Sequence, residues 1–272
     1  MSLALKRSAL FFAGVLAIGG AQAADGVTFG VGVDYSSGDY GTGTTTEILS
    51  VPFSARYAVG NWTYKASLPW VRVSGDPNVL PGVGLVVNTN PHGRGRGQGG
   101  TTVPDPTEPE SGTASGIGDL NLSATYSFDT DGPLGVDLTG KAKIATADED
   151  KGLGTGANDY GLAVDVYRAF GATTVFGGVG YTMLGDSDYV EVDGIANASL
   201  GVSHKLGTTG NSVGVAYDWR QAASSSFDDR SELTGFYSFG GQSPNRFQVY
   251  ATAGLSDGSP DWGGGIGYTR RF

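Results

Sequence analysis

Apolar and polar residues alternate along much of this chain, in stretches of about ten residues each. Between Leu120 and Phe128 the even positions hold Leu, Ala, Tyr or Phe, and the odd positions hold Asn, Ser or Thr. Side chains of an extended strand point alternately to its two faces, so this stretch has one apolar and one polar face. The segments Val136–Ile144 and Tyr160–Val166 repeat the pattern with charged residues on the polar face. The alternation predicts a series of amphipathic β-strands.

About twelve such segments follow one another between Ala24 and Phe272, and the connections between them are alternately short and long. Lipid requires an apolar outer face, and a water-filled lumen accepts a charged inner face. An even number of strands brings both termini to the periplasmic side and places the longer connections outside the cell. We therefore predict an all-β fold, a transmembrane antiparallel up-and-down β-barrel of about 12 strands. A soluble β-sandwich also alternates, but it would have to bury the charged face in its core, which argues against it.

Residues 1–23 have the three parts of a secretory signal peptide. A basic pair, Lys6-Arg7, precedes the apolar stretch Ala9–Ile18 and an A-x-A cleavage site at Ala21–Ala23. The apolar stretch is too short to span a bilayer as a helix. We predict cleavage after this site and a mature barrel formed by residues 24–272, located in the outer membrane of a Gram-negative bacterium.

The face predicted to line the lumen carries charged residues on nearly every strand. The candidate pore-lining residues are Arg56, Lys65, Asp137, Lys141, Lys143, Asp165, Lys205, Asp218, Arg220, Glu232 and Arg246. In an open channel such charges select solutes, whereas in a plugged lumen they neutralise one another as ion pairs. Barrels of eight strands are filled by side chains and those of 16–18 strands hold an aqueous channel, so about twelve strands leave both interpretations open.

The longest connection runs from about Gly75 to Gly116 and contains the basic tract HGRGRGQGG and the acidic, proline-rich tract VPDPTEPE. A loop of this length is usually functional or disordered. It could fold into the mouth of the barrel and constrict it, with Arg94 and Arg96 facing acidic solutes. It could also remain a mobile extracellular loop whose arginines contact lipopolysaccharide phosphates.

The composition argues against several classes of function. The chain has 47 glycines and no cysteine, so it has no disulfide, no cysteine nucleophile and no cysteine-based metal site. Its formal net charge of −10 argues against a nucleic-acid partner. The acidic run Asp148–Asp150 lies beside Gly152 but lacks the spacing of an EF-hand loop. We therefore predict neither a metal ion nor another cofactor.

Catalytic chemistry has little support in the sequence. The two histidines are His92, in the long loop, and His204, on the outward face of a predicted strand. The hydroxyl groups nearest to His204 in sequence, those of Ser199 and Ser203, belong to the opposite face. The sequence contains no H-E-x-x-H, G-x-S-x-G or P-loop motif. We predict no catalytic residue and no enzymatic activity.

Three short motifs occur in order along the chain: GIGDL at Gly116–Leu120, KIATAD at Lys143–Asp148, and KGLGTG at Lys151–Gly156, followed by Asp159-Tyr160. They resemble motifs of the outer-membrane, transporter-like "putative MetA-pathway of phenol degradation" family. The KIATAD motif has alanine at two positions where the family often has Pro and Gly. The resemblance implies an outer-membrane location and a role in the passage of small hydrophobic or aromatic compounds.

The C-terminal strand ends on Phe272, with Ile266 and Tyr268 at alternating positions before it, and this resembles an outer-membrane sorting signal. Arg270 interrupts the apolar alternation of that signal. The resemblance implies recognition by the barrel assembly machinery through Phe272. It also implies outer-membrane lipid and lipopolysaccharide as the surroundings of the folded barrel.

We therefore interpret the chain as an outer-membrane channel that passes small solutes, in particular hydrophobic or aromatic compounds, by passive diffusion. The alternative is a closed structural or surface-interaction barrel without transport, which would act through its 75–116 loop. Access of solvent through the lumen distinguishes the two hypotheses.

Overall fold

The computed structural model describes residues 25–95, 111–208, 210–241 and 243–272. The predicted signal peptide, residues 1–23, and Arg96 lie outside the described residues. No helix in the described part of the chain is long and apolar enough to cross a membrane.

The described residues form fifteen β-strands. In chain order they are β1 Gly26–Gly38, β2 Thr46–Val59, β3 Trp62–Gly75, β4 Val79–Leu80, β5 Gly84–Leu85, β6 Gly112–Ile117, β7 Leu120–Phe128, β8 Leu134–Ile144, β9 Asp159–Phe170, β10 Thr173–Met183, β11 Ile195–Leu206, β12 Asn211–Arg220, β13 Arg230–Phe239, β14 Asn245–Gly254 and β15 Trp262–Arg271. The two shortest, β4 and β5, pair only with each other.

The remaining strands form one closed antiparallel sheet. With the exception of β6 and β7, neighbours in sequence pair with each other, and β1 closes the barrel by pairing with β15, from Thr28 opposite Arg271 to Ser37 opposite Trp262. Strands β6 and β7 both pair with β3 and are two halves of one barrel strand, so the barrel has twelve strands. The predicted all-β, twelve-stranded antiparallel barrel is confirmed.

Short and long connections lie at opposite ends of the barrel. Two-residue turns join β2 to β3 and β9 to β10, and their glycines, Gly60 and Gly171, have φ of 55° and 64°. Positive φ is what tight hairpin turns require, and glycine adopts it without strain. The described residues of the longer connections, 39–45, 76–95, 111, 145–158, 184–194, 221–229 and 255–261, lie at the other end. This is the arrangement of an outer-membrane barrel, with short turns in the periplasm and long loops outside.

The outward face is apolar and carries an aromatic girdle at the short-turn end. Large apolar side chains such as Phe53 and Leu162 are exposed there, as lipid contact requires. Rings contact one another from strand to strand, with centroid distances of 5.0 Å for Trp62 and Tyr126 and 4.9 Å for Phe247 and Tyr268. Aromatic side chains at this level mark the boundary between hydrocarbon and water.

The long loop is shorter than predicted at its C-terminal end. Residues 112–117 form β6, which pairs with β3 from Gly75 opposite Gly112 to Trp70 opposite Ile117. The alternation is weak here because the side chains are small, and it is interrupted at Gly118, whose N–H donates to the Pro69 carbonyl at 2.8 Å. This interruption resembles a β-bulge, which shifts the strand before β7 begins.

Candidate functional site: the lumen and its extracellular mouth

The strand register places all eleven predicted lumen-facing charges on the inward face of the barrel. On each strand these residues alternate with the exposed apolar side chains. Directly opposite pairs connect them across strands: Arg56 with Lys65, Asp137 with Asp165, and Asp218 with Glu232. Charges of the same sign are therefore neighbours at three places among these candidates, and Arg220 opposite Arg230 adds a fourth place on the inner wall.

Four cations lie on one row of register partners, which we call the basic row: Arg271, Arg56, Lys65 and Lys141. Thr28 of β1 lies opposite both Arg271 and Arg56, and Ser123 of β7 lies opposite both Lys65 and Lys141. The row continues through Gly161 and Thr182 to Ile195 at the extracellular end. No position on it holds a carboxylate.

Four carboxylates lie on a second row, the acidic row: Asp137, Asp165, Asp218 and Glu232. Gly178 and Ser199 connect Asp165 to Asp218 across β10 and β11. On β8 the two rows are separated by four residues, or about 13 Å along the strand. These four cations and four carboxylates thus lie on two separate rows of register partners.

An aromatic cluster lines the inner wall beside the acidic row. Tyr167, Phe176 and Phe236 are buried together with Ala216, and Tyr250 packs against them. Glycines on neighbouring strands make room for the rings: a Cβ atom added to Gly135, Gly201, Gly214 or Gly265 would lie 2.2–2.6 Å from the ring of Tyr167, Phe176, Phe236 or Tyr250, respectively. The Tyr250 hydroxyl also donates to Asp34 Oδ1 at 2.6 Å.

The sequence analysis missed most of this cluster. Tyr167, Phe176 and Phe236 occupy inward positions of their strands, but the sequence analysis did not single them out. Their position in the alternation was a usable signal, because an aromatic residue on a polar face needs a partner inside the barrel.

Residues 76–95, which we call the mouth segment, cross the extracellular mouth. They contain the β4–β5 hairpin, whose Leu80 is buried with Val83 and Val86 against residues of the opposite wall. Those residues are Val190, Ile195 and Ala223. The inward-facing Arg220 of β12 donates from Nη1 to the Gly82 carbonyl at 2.7 Å. The segment therefore starts on β3 and reaches the far side of the barrel.

Arg94 anchors the mouth segment instead of facing solutes. Its guanidinium donates to the carbonyls of Asp76 and Val79, each at 2.7 Å, and to the carbonyl of Gly152 in the neighbouring loop. Burial lowers the pKa of Arg94 to about 10, against the opposing effect of the Asp76 carboxylate, so the side chain remains charged at neutral pH. Its prediction as a constriction residue is wrong, because both Nη atoms donate to backbone carbonyls of the folded loops and do not face the lumen as free groups.

The loop of residues 145–158 also folds over the inner wall. Leu153 is 1% exposed and packs against Val71 and Val73, which are inward residues of β3. An added Cβ on Gly116 would lie 2.9 Å from the Leu153 side chain, so the loop lies directly on β6 as well. Through the Arg94 bond to Gly152, this loop and the mouth segment form one connected cover.

Comparison with known proteins gives the chain a family. The model of the family described as "Putative MetA-pathway of phenol degradation" matches residues 38–272. The chain belongs to this family. None of the curated proteins matches the sequence.

Solved structures with the same fold are distant in sequence. The COG4313 outer membrane channel from Pseudomonas putida F1 is 17% identical, with 92% of this chain and 96% of that chain covered and a TM-score of 0.65. The translocator domain of the autotransporter NalP from Neisseria meningitidis is 11% identical over 92% of this chain and 90% of that one, with a TM-score of 0.55. The NanC porin is 10% identical over 90% of this chain and 100% of that one, with a TM-score of 0.54. These similarities show the outer-membrane barrel fold that the phenol-degradation family member shares with them.

The three motifs that resemble the phenol-degradation family converge on one cluster, which we call the loop clamp. Lys143 Nζ lies 2.8 Å from Asp159 Oδ2 and 3.6 Å from Asp119 Oδ2, and it donates to Thr155 Oγ1 at 3.0 Å. Asp119 Oδ1 in turn accepts the backbone N–H of Thr146 at 3.1 Å. Each motif thus supplies a partner that holds residues 145–158 in place.

The other predicted charges have different surroundings. Lys205 is exposed near the short-turn end of β11. Glu232 pairs with Arg230, an inward residue that the sequence analysis did not single out. In both the loop clamp and this pair, a charge at the extracellular end of the barrel is neutralised by a neighbour.

The residues considered for catalysis and metal binding, His204 and Asp148, each contact one neighbouring side chain. His204 Nδ1 lies 2.9 Å from Thr173 Oγ1, a position on the lipid-facing side. Asp148 forms an exposed ion pair with Lys151 at 2.7 Å, and this hydrogen-bonded pairing lowers the pKa of Asp148. Within the described ranges, no group of three or more His, Cys, Asp or Glu side chains could hold a metal ion.

Proposed function

We propose that this protein is an outer-membrane channel that passes small hydrophobic or aromatic solutes by passive diffusion. The observation that supports this most directly is the inner wall, which carries separate basic and acidic rows. Lumen charges orient the polar groups of a solute during passage. The family description and the channel in Pseudomonas putida F1 agree with this role.

In this proposal the solute passes the barrel without covalent change. The candidate pore-lining residues act by charge, and the chain contributes no catalytic group. Residues 1–23 direct export, and the C-terminal strand directs assembly through Phe272. In the folded barrel the Phe272 N–H donates to the Val27 carbonyl at 2.9 Å and its ring contacts Phe29, so the terminal residue is part of the barrel seam.

A closed barrel that acts at the cell surface is the second candidate. The packing of the mouth segment favours it, because Leu80, Val83 and Val86 are buried against the opposite wall and do not line an open entrance. The same packing also fits a channel whose entrance opens only when the mouth segment moves.

Single-channel recording in planar bilayers tests the channel. The refolded mature protein is compared with a shortened variant in which a Gly-Ser linker replaces residues 78–87. We expect discrete conductance steps that phenol reduces, and larger steps for the shortened variant because the β4–β5 hairpin no longer crosses the mouth. If neither protein shows conductance steps, although heat-modifiable migration on gels shows that both are folded, the result would support the closed barrel.

A further inference from the structure

Arg56 and Lys65 form a pair of like charges on the inner wall. They lie directly opposite each other on β2 and β3, both face inward, and both are partly buried. Like charges directly opposite each other on antiparallel strands destabilise the sheet. The Arg56 side chain makes one long hydrogen bond, from Nη2 to Thr63 Oγ1 at 3.4 Å. Among the residues that the structure describes, no carboxylate lies within ion-pair distance of either cation.

The pair is the centre of the basic row. From Arg56 to Lys141 the row crosses three strand spacings, which is about 14 Å. Strands of a barrel tilt against its axis, so a row of register partners climbs through the lumen. The row begins at Arg271 near the periplasmic end and rises through Arg56 and Lys65 to the middle of β8. A negative group that moves along this wall therefore meets successive cations.

Three other inward cations have protein partners. Lys143 is held by Asp119 and Asp159, and Arg230 pairs with Glu232. Arg220 donates to the Gly82 carbonyl. All three lie at the extracellular end, where they fix loops or strand ends. The Arg56–Lys65 pair fixes no loop and no strand end, and the repulsion between its two cations costs free energy.

We propose that the Arg56–Lys65 pair, with Lys141 next on the basic row, binds the oxyanion of a small aromatic solute, so that the channel takes arenecarboxylates in preference to neutral arenes of the same size. An anion between the two cations relieves their repulsion and forms charge-assisted hydrogen bonds with both. The aromatic part of this assignment rests on the proposed function.

Equilibrium dialysis of radiolabelled benzoate against the refolded protein in neutral detergent micelles measures binding without requiring transport. Benzyl alcohol is the neutral ligand of similar size. We expect benzoate to bind at least about tenfold more tightly than benzyl alcohol, because its carboxylate forms charge-assisted hydrogen bonds that the neutral alcohol cannot form. Lys65→Gln should weaken benzoate binding about tenfold and leave benzyl alcohol binding unchanged. Lys65→Arg should restore benzoate binding.

Lys151→Gln is the control for the loss of one positive charge, because Lys151 lies in the extracellular loop of residues 145–158 and forms an exposed ion pair with Asp148. It should leave benzoate binding unchanged. Equal affinity of wild-type protein for benzoate and benzyl alcohol, or equal loss of benzoate binding in Lys65→Gln and Lys151→Gln, would overturn the proposal. Conductance without selective benzoate binding would refute the anion site and still support the proposed channel. Selective benzoate binding by a barrel that shows no conductance would support the anion site and refute the channel.

Discussion

The two ends of the barrel use inward-facing lysine in different ways. At the extracellular end Lys143 lies between Asp119 and Asp159, with its Nζ 2.8 Å from a carboxylate oxygen of Asp159. Towards the periplasmic end, Lys65 faces Arg56, and no described carboxylate lies within ion-pair distance of either side chain. Both lysines obey the same alternation of polar and apolar positions. Their surroundings differ because strand register and loop folding bring different neighbours to them.

The difference follows from what each region has to hold. Residues 145–158 and the mouth segment must be kept against the barrel, and paired, hydrogen-bonded charges hold such loops in a defined geometry. The wall around Lys65 is already fixed by the hydrogen bonds of β2, β3 and β7. Inward charge serves the structure at one end and, under our proposal, the solute at the other.

Replacement of Lys143 should have the largest effect. Lys143→Met leaves Asp119 and Asp159 without their cation, and breaking such a buried pair costs about 3 kcal/mol or more. Residues 145–158 should then detach from the wall. Trypsin cleavage after the exposed Lys151 measures this opening, and its rate should rise by about a hundredfold if opening is fast compared with cleavage.

Lys65→Met is the control for this experiment, because it removes an inward lysine from the same barrel without touching the loop clamp. It should leave cleavage after Lys151 at the wild-type rate. An unchanged cleavage rate in Lys143→Met as well would mean that other contacts hold the loop and that the loop clamp is not needed for its position.

Truncation of Leu153 should have the next largest effect. Leu153 is 1% exposed against Val71 and Val73, and Leu→Ala at such a site typically costs about 2–5 kcal/mol. Part of the cover over the mouth should loosen, which raises the open time in single-channel recordings. The matched control is Leu200→Ala, because Leu200 is 61% exposed on the lipid-facing side. If both variants behave alike, Leu153 does not hold the cover in place.

The sequence alone predicted the barrel, its strand number and the inward face of the eleven charged strand residues. A period of two fixes which face a side chain occupies, and one-residue slips would expose every polar face to lipid. The sequence could not predict which charges meet, because register partners such as Asp137 and Asp165 are far apart in sequence. The separation into basic and acidic rows depends on that register.

The mouth was the least predictable region. The sequence favours Arg94 as a residue that contacts acidic solutes, but the loop folds so that its guanidinium donates to backbone carbonyls. The apolar tract around Leu80 and Val86 was the available signal, since an exposed loop has no reason to carry it. The sequence also could not predict the structural role of the three motifs. Asp119, Lys143 and Asp159 come together only when β7, β8 and β9 pair.

Replacement of Lys65 should have the smallest effect on stability, and of opposite sign to that of Lys143. Lys65→Met removes one of two facing cations, and relief of such a cross-strand repulsion is worth about 0.2–1 kcal/mol. The midpoint of guanidinium unfolding in lipid vesicles should therefore stay unchanged or rise slightly, while Lys65→Arg keeps the wild-type value. A loss of more than about 1 kcal/mol would mean that Lys65 has a structural partner. The two ends of the barrel would then use lysine in the same way, and the anion site would lose its physical basis.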